Sequence, residues 1–166
     1  MRPHRVSALS LAFFLVACAS ESPVAPEGEE LSPNFAMSGQ SGCYTVSGTI
    51  LETGLFPDFG GVVSGDLEGT SSTTIGIDGI SGKVISNPGV RTIEVTGGTV
   101  PELIGTTLEQ SFYGLSINTG AGPIRINERT TVESGAARGT LTTHGWLNVN
   151  VFPWEVDVTY RGVICL

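Results

Sequence analysis

The sequence predicts an all-β domain, a single antiparallel β-barrel, with a β-sandwich as the alternative. Three observations carry that prediction. No window holds the apolar period of about 3.6 residues that an amphipathic helix requires. Val, Ile, Thr, Ser and Gly dominate from residue 42 onward, with Gly-containing turn clusters at short intervals. The final apolar run alternates with period two, the mark of an antiparallel strand buried on one face.

In chain order, the first strand directs Tyr44, Val46 and Ile50 inward and Cys43, Thr45 and Ser47 outward. Strands are then expected near 61–68, 72–78, 83–86, 91–96, 106–118, 123–133 and 138–151. The Pro and Gly residues between these runs read as breaks. Glu133-Ser134-Gly135-Ala136 reads as the tight turn of a long hairpin. In the last strand Phe152, Trp154, Val156, Val158, Tyr160 and Ile164 share one face, and Pro153, Glu155, Asp157, Thr159 and Arg161 the other.

The same parity puts Cys165 outward, like Cys43. A bond between the start of the first strand and the end of the last requires those strands to be antiparallel neighbours. An up-and-down barrel with an even number of strands closes in this way, and a sandwich whose terminal strands pair at one edge satisfies the same parity. A disulfide is expected, with Cα atoms about 4.4–6.8 Å apart.

Ahead of the domain, Met1 to Arg5 is a short basic head and Val6 to Ala17 an apolar core too short to span a bilayer. It ends in Leu15-Val16-Ala17-Cys18, which resembles the lipobox that the lipoprotein signal peptidase cuts before its cysteine. Residues 1–17 are thus expected to be a bacterial lipoprotein signal peptide and Cys18 the lipidated residue. Residues 18–41, rich in Ser, Pro, Glu and Gly, are expected to form a flexible tether, and residues 42–166 the β-rich domain. The resemblance implies a protein of the cell envelope, held outside the cytoplasm by its lipid. Ala19, where an Asp would resemble an inner-membrane retention signal, points to the outer membrane.

The chain carries a formal charge of −8, and loss of Arg2 and Arg5 with residues 1–17 makes it more negative. Lys83 is the sole lysine. A surface without basic clusters repels phosphate backbones, so nucleic acid is excluded as a partner. No Gly-rich stretch has the spacing of a phosphate cradle.

His144 is the one histidine that would remain after cleavage, which excludes paired-histidine zinc sites. Neither metal nor cofactor is expected, and no catalytic constellation is assigned. With Trp146, Asn148 and Asn150, His144 forms an outward strip where an aromatic flanked by amides suits a sugar or a partner protein. A register shift at Gly145 would instead bury Trp146. Asp66 and Glu68 share parity and read as a solvated acidic face.

Glu128 is more informative, because it shares parity with Ile124, Ile126 and Val132. A regular strand aims its carboxyl at the core, where it needs a partner or a raised pKa. A β-bulge between Ile126 and Val132 would turn it outward.

Two further segments carry a resemblance. Gly65-Asp66-Leu67-Glu68-Gly69-Thr70 before a Thr-rich strand, and Gly135-Ala136-Ala137-Arg138-Gly139-Thr140-Leu141 in a hairpin, resemble the barrel family related to allene oxide cyclase. That resemblance implies an antiparallel barrel with a central cavity, and no catalytic residue is carried over. The function expected is a non-catalytic envelope lipoprotein binding an apolar small molecule or another envelope protein. The alternatives are a cyclase- or isomerase-like barrel enzyme using Glu128 on a hydrophobic substrate, and a structural spacer or assembly subunit. A hollow interior reached by Glu128 would separate the first two from the third.

Overall fold

A computed structural model describes residues 42–118, 120 and 122–166. The signal segment, Cys18 and the tether lie outside the described residues. The strands are β1 (Cys43–Leu55), β2 (Asp58–Gly65), β3 (Leu67–Ile75), β4 (Gly79–Ser81), β5 (Val84–Gly98), β6 (Thr107–Ile117), β7 (Ile124–Ser134), β8 (Ala137–Asn148) and β9 (Trp154–Cys165). A 3₁₀ turn, Pro101–Leu103, follows β5.

All pairings are antiparallel, in the order β3-β2-β1-β9-β8-β7-β6-β5-β4, and β3 also pairs with β5. That last pairing closes eight strands into a barrel and leaves β4 as an extra short strand outside the ring. Closure excludes the sandwich. It also removes the sheet edges that an open arrangement would expose.

The terminal strands are neighbours through twelve consecutive rungs, from Cys43 opposite Cys165 to Gly54 opposite Trp154. The two cysteines are bonded, with Cα atoms 3.9 Å apart. This is shorter than the expected range: the two cysteines face each other directly across one rung of the antiparallel ladder, where paired residues approach closely.

Strand boundaries differ from those read in the sequence at several points: the strand expected at 72–78 starts earlier and ends at Ile75, that expected at 138–151 ends at Asn148, and the short β4 has no counterpart among the expected strands. Residues 61–68 are not one strand: the chain turns at Asp66, and Gly65, with φ 113°, supplies the backbone conformation that the turn needs. The runs 83–86 and 91–96 form one strand, β5, which continues through Pro88. Phe152 lies before β9 and is 82% exposed, so the inward face of that strand starts at Trp154.

The barrel has two unlike ends. Both chain termini of the domain lie at one end, which is filled by Val46, Leu67, Leu108, Val132 and Ile164, with Leu103 of the 3₁₀ turn also fully buried. Tyr160 crosses this core, and its hydroxyl accepts a hydrogen bond from Leu67 N at 3.0 Å. Burial, opposed by that bond, pushes the phenol pKa up to about 12. The other end, reached by the β1–β2, β6–β7 and β8–β9 connections, is hollow.

Candidate functional site

The hollow end is an apolar cup of about 250 Å³. Its wall includes Phe59, Ile75, Ile124, Ile126, Leu147 and Trp154, and its polar lining is Asn87, Ser116 and Glu128. An eight-stranded barrel has an interior just wide enough to be filled by side chains or to hold one small ligand. Here the first solution is used at one end and the second at the other.

Glu128 is 6% exposed. Strand β7 is regular: Ile124, Ile126, Glu128, Thr130 and Val132 all point inward, and no bulge intervenes between Ile126 and Val132. Room for the carboxyl comes from β6, where the residue opposite Glu128 is Gly114. A Cβ at Gly114 would lie 2.8 Å from Glu128 Cγ, so any larger residue there would displace the acid.

Glu128 belongs to a buried charged cluster. Arg91, 2% exposed on β5, directs Nη1 to Glu128 Oε2 at 3.5 Å. Its Nε donates to Thr73 Oγ1 at 2.9 Å, and that hydroxyl donates to Glu52 Oε1 at 2.6 Å. Glu52, on β1, is 1% exposed, with Oε1 also 3.6 Å from Arg91 Nε. The guanidinium lies over the Phe112 ring, 5.2 Å from its centroid, a favourable cation–π geometry. Two carboxyl groups therefore share one guanidinium. Burial holds the Glu128 pKa above its ordinary value; Arg91 opposes this, and the neighbouring Glu52 adds to it. Several buried polar atoms, Glu52 Oε2 and Asn87 Oδ1 included, have no hydrogen-bond partner among the described residues.

Glu52 and Arg91 do not figure among the residues singled out from sequence, although parity signals both. Glu52 shares the face of Val46 and Ile50, and Arg91 that of Ile93 and Val95. Their partners come from strands distant in sequence, and only closure of the barrel brings them to Glu128.

The other candidates lie outside the barrel, apart from the cup. His144 Nδ1 is 3.0 Å from Asn127 Oδ1 on the surface. Trp146 is 50% exposed beside it, and Gly145 keeps the regular register opposite Val158. Asn148 is half-buried and accepts a hydrogen bond from Asn150 N at 3.1 Å, so these two amides shape the turn after β8. A shallow depression joins His144 and Trp146 to Arg125, Asp157 and Thr159.

Glu68 is exposed, and Asp66 is half-buried. Asp66, in the β2–β3 turn, accepts bonds from Ser47 N, Ser47 Oγ and Thr99 Oγ1 at 2.7–3.0 Å. The bond from Thr99 is the main cause of its lowered pKa; burial opposes it, and the Ser47 bonds add to it. Among the described residues no group of three or more His, Cys, Asp or Glu could hold a metal ion. No protein-family model, curated protein or solved structure matches this chain.

Proposed function

We propose that the domain is a binding module that holds one small apolar molecule in the cup. The observation that carries this reading is the cup itself, an apolar hollow with a few convergent polar groups, the usual character of a small-molecule site. An apolar cavity of about 150 Å³ accepts benzene. The larger cup suits a molecule of roughly ten non-hydrogen atoms on the same scale.

A specific observation also supports an enzymatic reading. A desolvated carboxyl facing an apolar cavity is the form in which acids and bases for hydrophobic substrates occur. On that reading, which agrees with the resemblance to the allene oxide cyclase-related barrels, Glu128 moves the proton and Arg91 holds its Oε2. A purely structural role gives no account of the cup.

The binding reading is tested by heating the purified protein with and without a lipid extract of its source cells. A component of the extract should raise the melting temperature of wild type and not that of Ile124→Trp, which places an indole in the wall of the cup. If no component shifts wild type and none copurifies, the reading fails.

The lipobox-like segment supports the further proposal that the domain works in the cell envelope, lipid-anchored through Cys18, at the outer membrane. Wild type should partition into detergent and incorporate labelled palmitate, and Cys18→Ala should do neither. Unchanged partitioning of that variant would refute the anchor.

A further inference from the structure

The polar groups in the cup define the head group of the ligand, an inference that rests on the binding reading above. Asn87 on β5 is directly opposite Gly114 on β6, which is directly opposite Glu128 on β7. The three residues form one row across neighbouring strands. Strands in a sheet are about 4.8 Å apart, so the backbones of Asn87 and Glu128 stand about 10 Å apart across a glycine that places no side chain between them.

Both side chains line the cup, and each carries an oxygen that can accept. Asn87 Nδ2 donates to Gly76 O at 3.3 Å. A carbonyl can only accept, so this bond fixes the orientation of the amide. The remaining atom, Oδ1, is buried and has no hydrogen-bond partner among the described residues. Glu128 Oε2 faces Arg91, and the carboxyl lines the cup. Ser116, two rungs nearer the mouth, adds a hydroxyl.

The charge balance has the same sense, since the two carboxyl groups of Glu52 and Glu128 share the single guanidinium of Arg91. A ligand carboxylate would bring a third acid to the cluster. A cation would supply the missing positive charge and the missing donors together.

We infer that the cup takes an apolar primary amine, with its ammonium beside the Glu128 carboxyl on the side of the cup that Asn87 and Ser116 also line and its hydrocarbon against Phe59, Ile126 and Leu147. An ammonium has three donors and no acceptor, which matches a pocket whose free polar atoms accept. Hydrogen bonds to a charged partner contribute more than neutral ones, and the surrounding apolar wall strengthens them.

The test compares heptylamine, heptanol and heptanoate, three ligands of one chain length, by calorimetry on the full chain at neutral pH. Heptylamine should bind about tenfold or more tighter than heptanol, and heptanoate weakest. Glu128→Gln should erase the preference for the amine while still binding heptanol. Asn87→Leu, which leaves the charged cluster intact, should reduce amine binding and serves as the second variant if Glu128→Gln does not fold. Equal binding of amine and alcohol, tighter binding of heptanoate, or an amine preference that survives in Glu128→Gln would overturn the inference and leave the cup as a binding site. Binding of none of the three by wild type would overturn the inference and count against the small-molecule reading as well.

Discussion

Arg91 is the residue on which the interior depends. Removing one member of a buried ionic cluster leaves uncompensated charge and costs about 3–5 kcal/mol. Arg91→Leu should lose that much at neutral pH by chemical denaturation, and should recover stability on acidification as the stranded Glu128 takes up a proton. Wild type should show a weaker trend of the same sign. The raised pKa of Glu128 means that the folded state binds a proton more readily than the unfolded chain, so this residue's contribution is most favourable below its ordinary value of 4.5 and declines as pH rises through the folded pKa. A wild-type slope of opposite sign that Glu128→Gln does not alter would remove Glu128 as its source. Parity in the sequence identifies Glu128 as inward-facing, because apolar residues flank it on both sides. Glu52 and Arg91 obey the same alternation, yet each sits where the apolar run stops on one side, and a charge there reads as the end of a strand.

At the scale of the element, β5 shows why strand boundaries are hard to read. Asn87-Pro88-Gly89 looks like a break, because proline cannot donate to a ladder. In the barrel, however, the partner of β5 changes at this point. Pairing with β3 ends at Ile75 opposite Gly89, and pairing with β4 begins at Gly79 opposite Ser86. Pro88 occupies the gap, where its carbonyl accepts from Gly76 N at 2.6 Å and the neighbouring Asn87 side chain bonds Gly76 O. The missing N–H costs no rung on that side, and this exchange of partners has no local signature. The ladder between β1 and β9 is the contrary case, because alternation and the two cysteines together identify it. Cys43→Ser should destabilise the domain by about 2–5 kcal/mol in thermal or chemical unfolding. A loss well below 1 kcal/mol would mean that the twelve rungs hold these strands without the bridge.

For the whole molecule, the sequence indicates the barrel and the pairing of its ends, but not which end is hollow. That asymmetry arises from side chains meeting across the interior, such as Leu103 from the 3₁₀ turn, and no single strand encodes it. The placement of the bridge has a mechanical consequence. The chain enters and leaves the barrel at the filled end, where Leu166 N donates to Gly42 O at 2.7 Å and Cys43 is bonded to Cys165 across the next rung. Tension applied to the two ends would peel the terminal ladder one rung at a time, and the covalent link stops the peeling at its first step. The cysteines are separated by 122 positions in sequence, and the chain between them then forms hidden length that load cannot reach. In an optical trap with handles ahead of Gly42 and at Leu166, the oxidised domain should not lengthen appreciably at forces that open ordinary β-barrels. After reduction it should extend by about 400 Å, from roughly 3.3–3.6 Å per residue. Full lengthening without reductant would show that the bridge does not carry the load. With the bridge intact, strain passed along the chain would leave the cup undeformed.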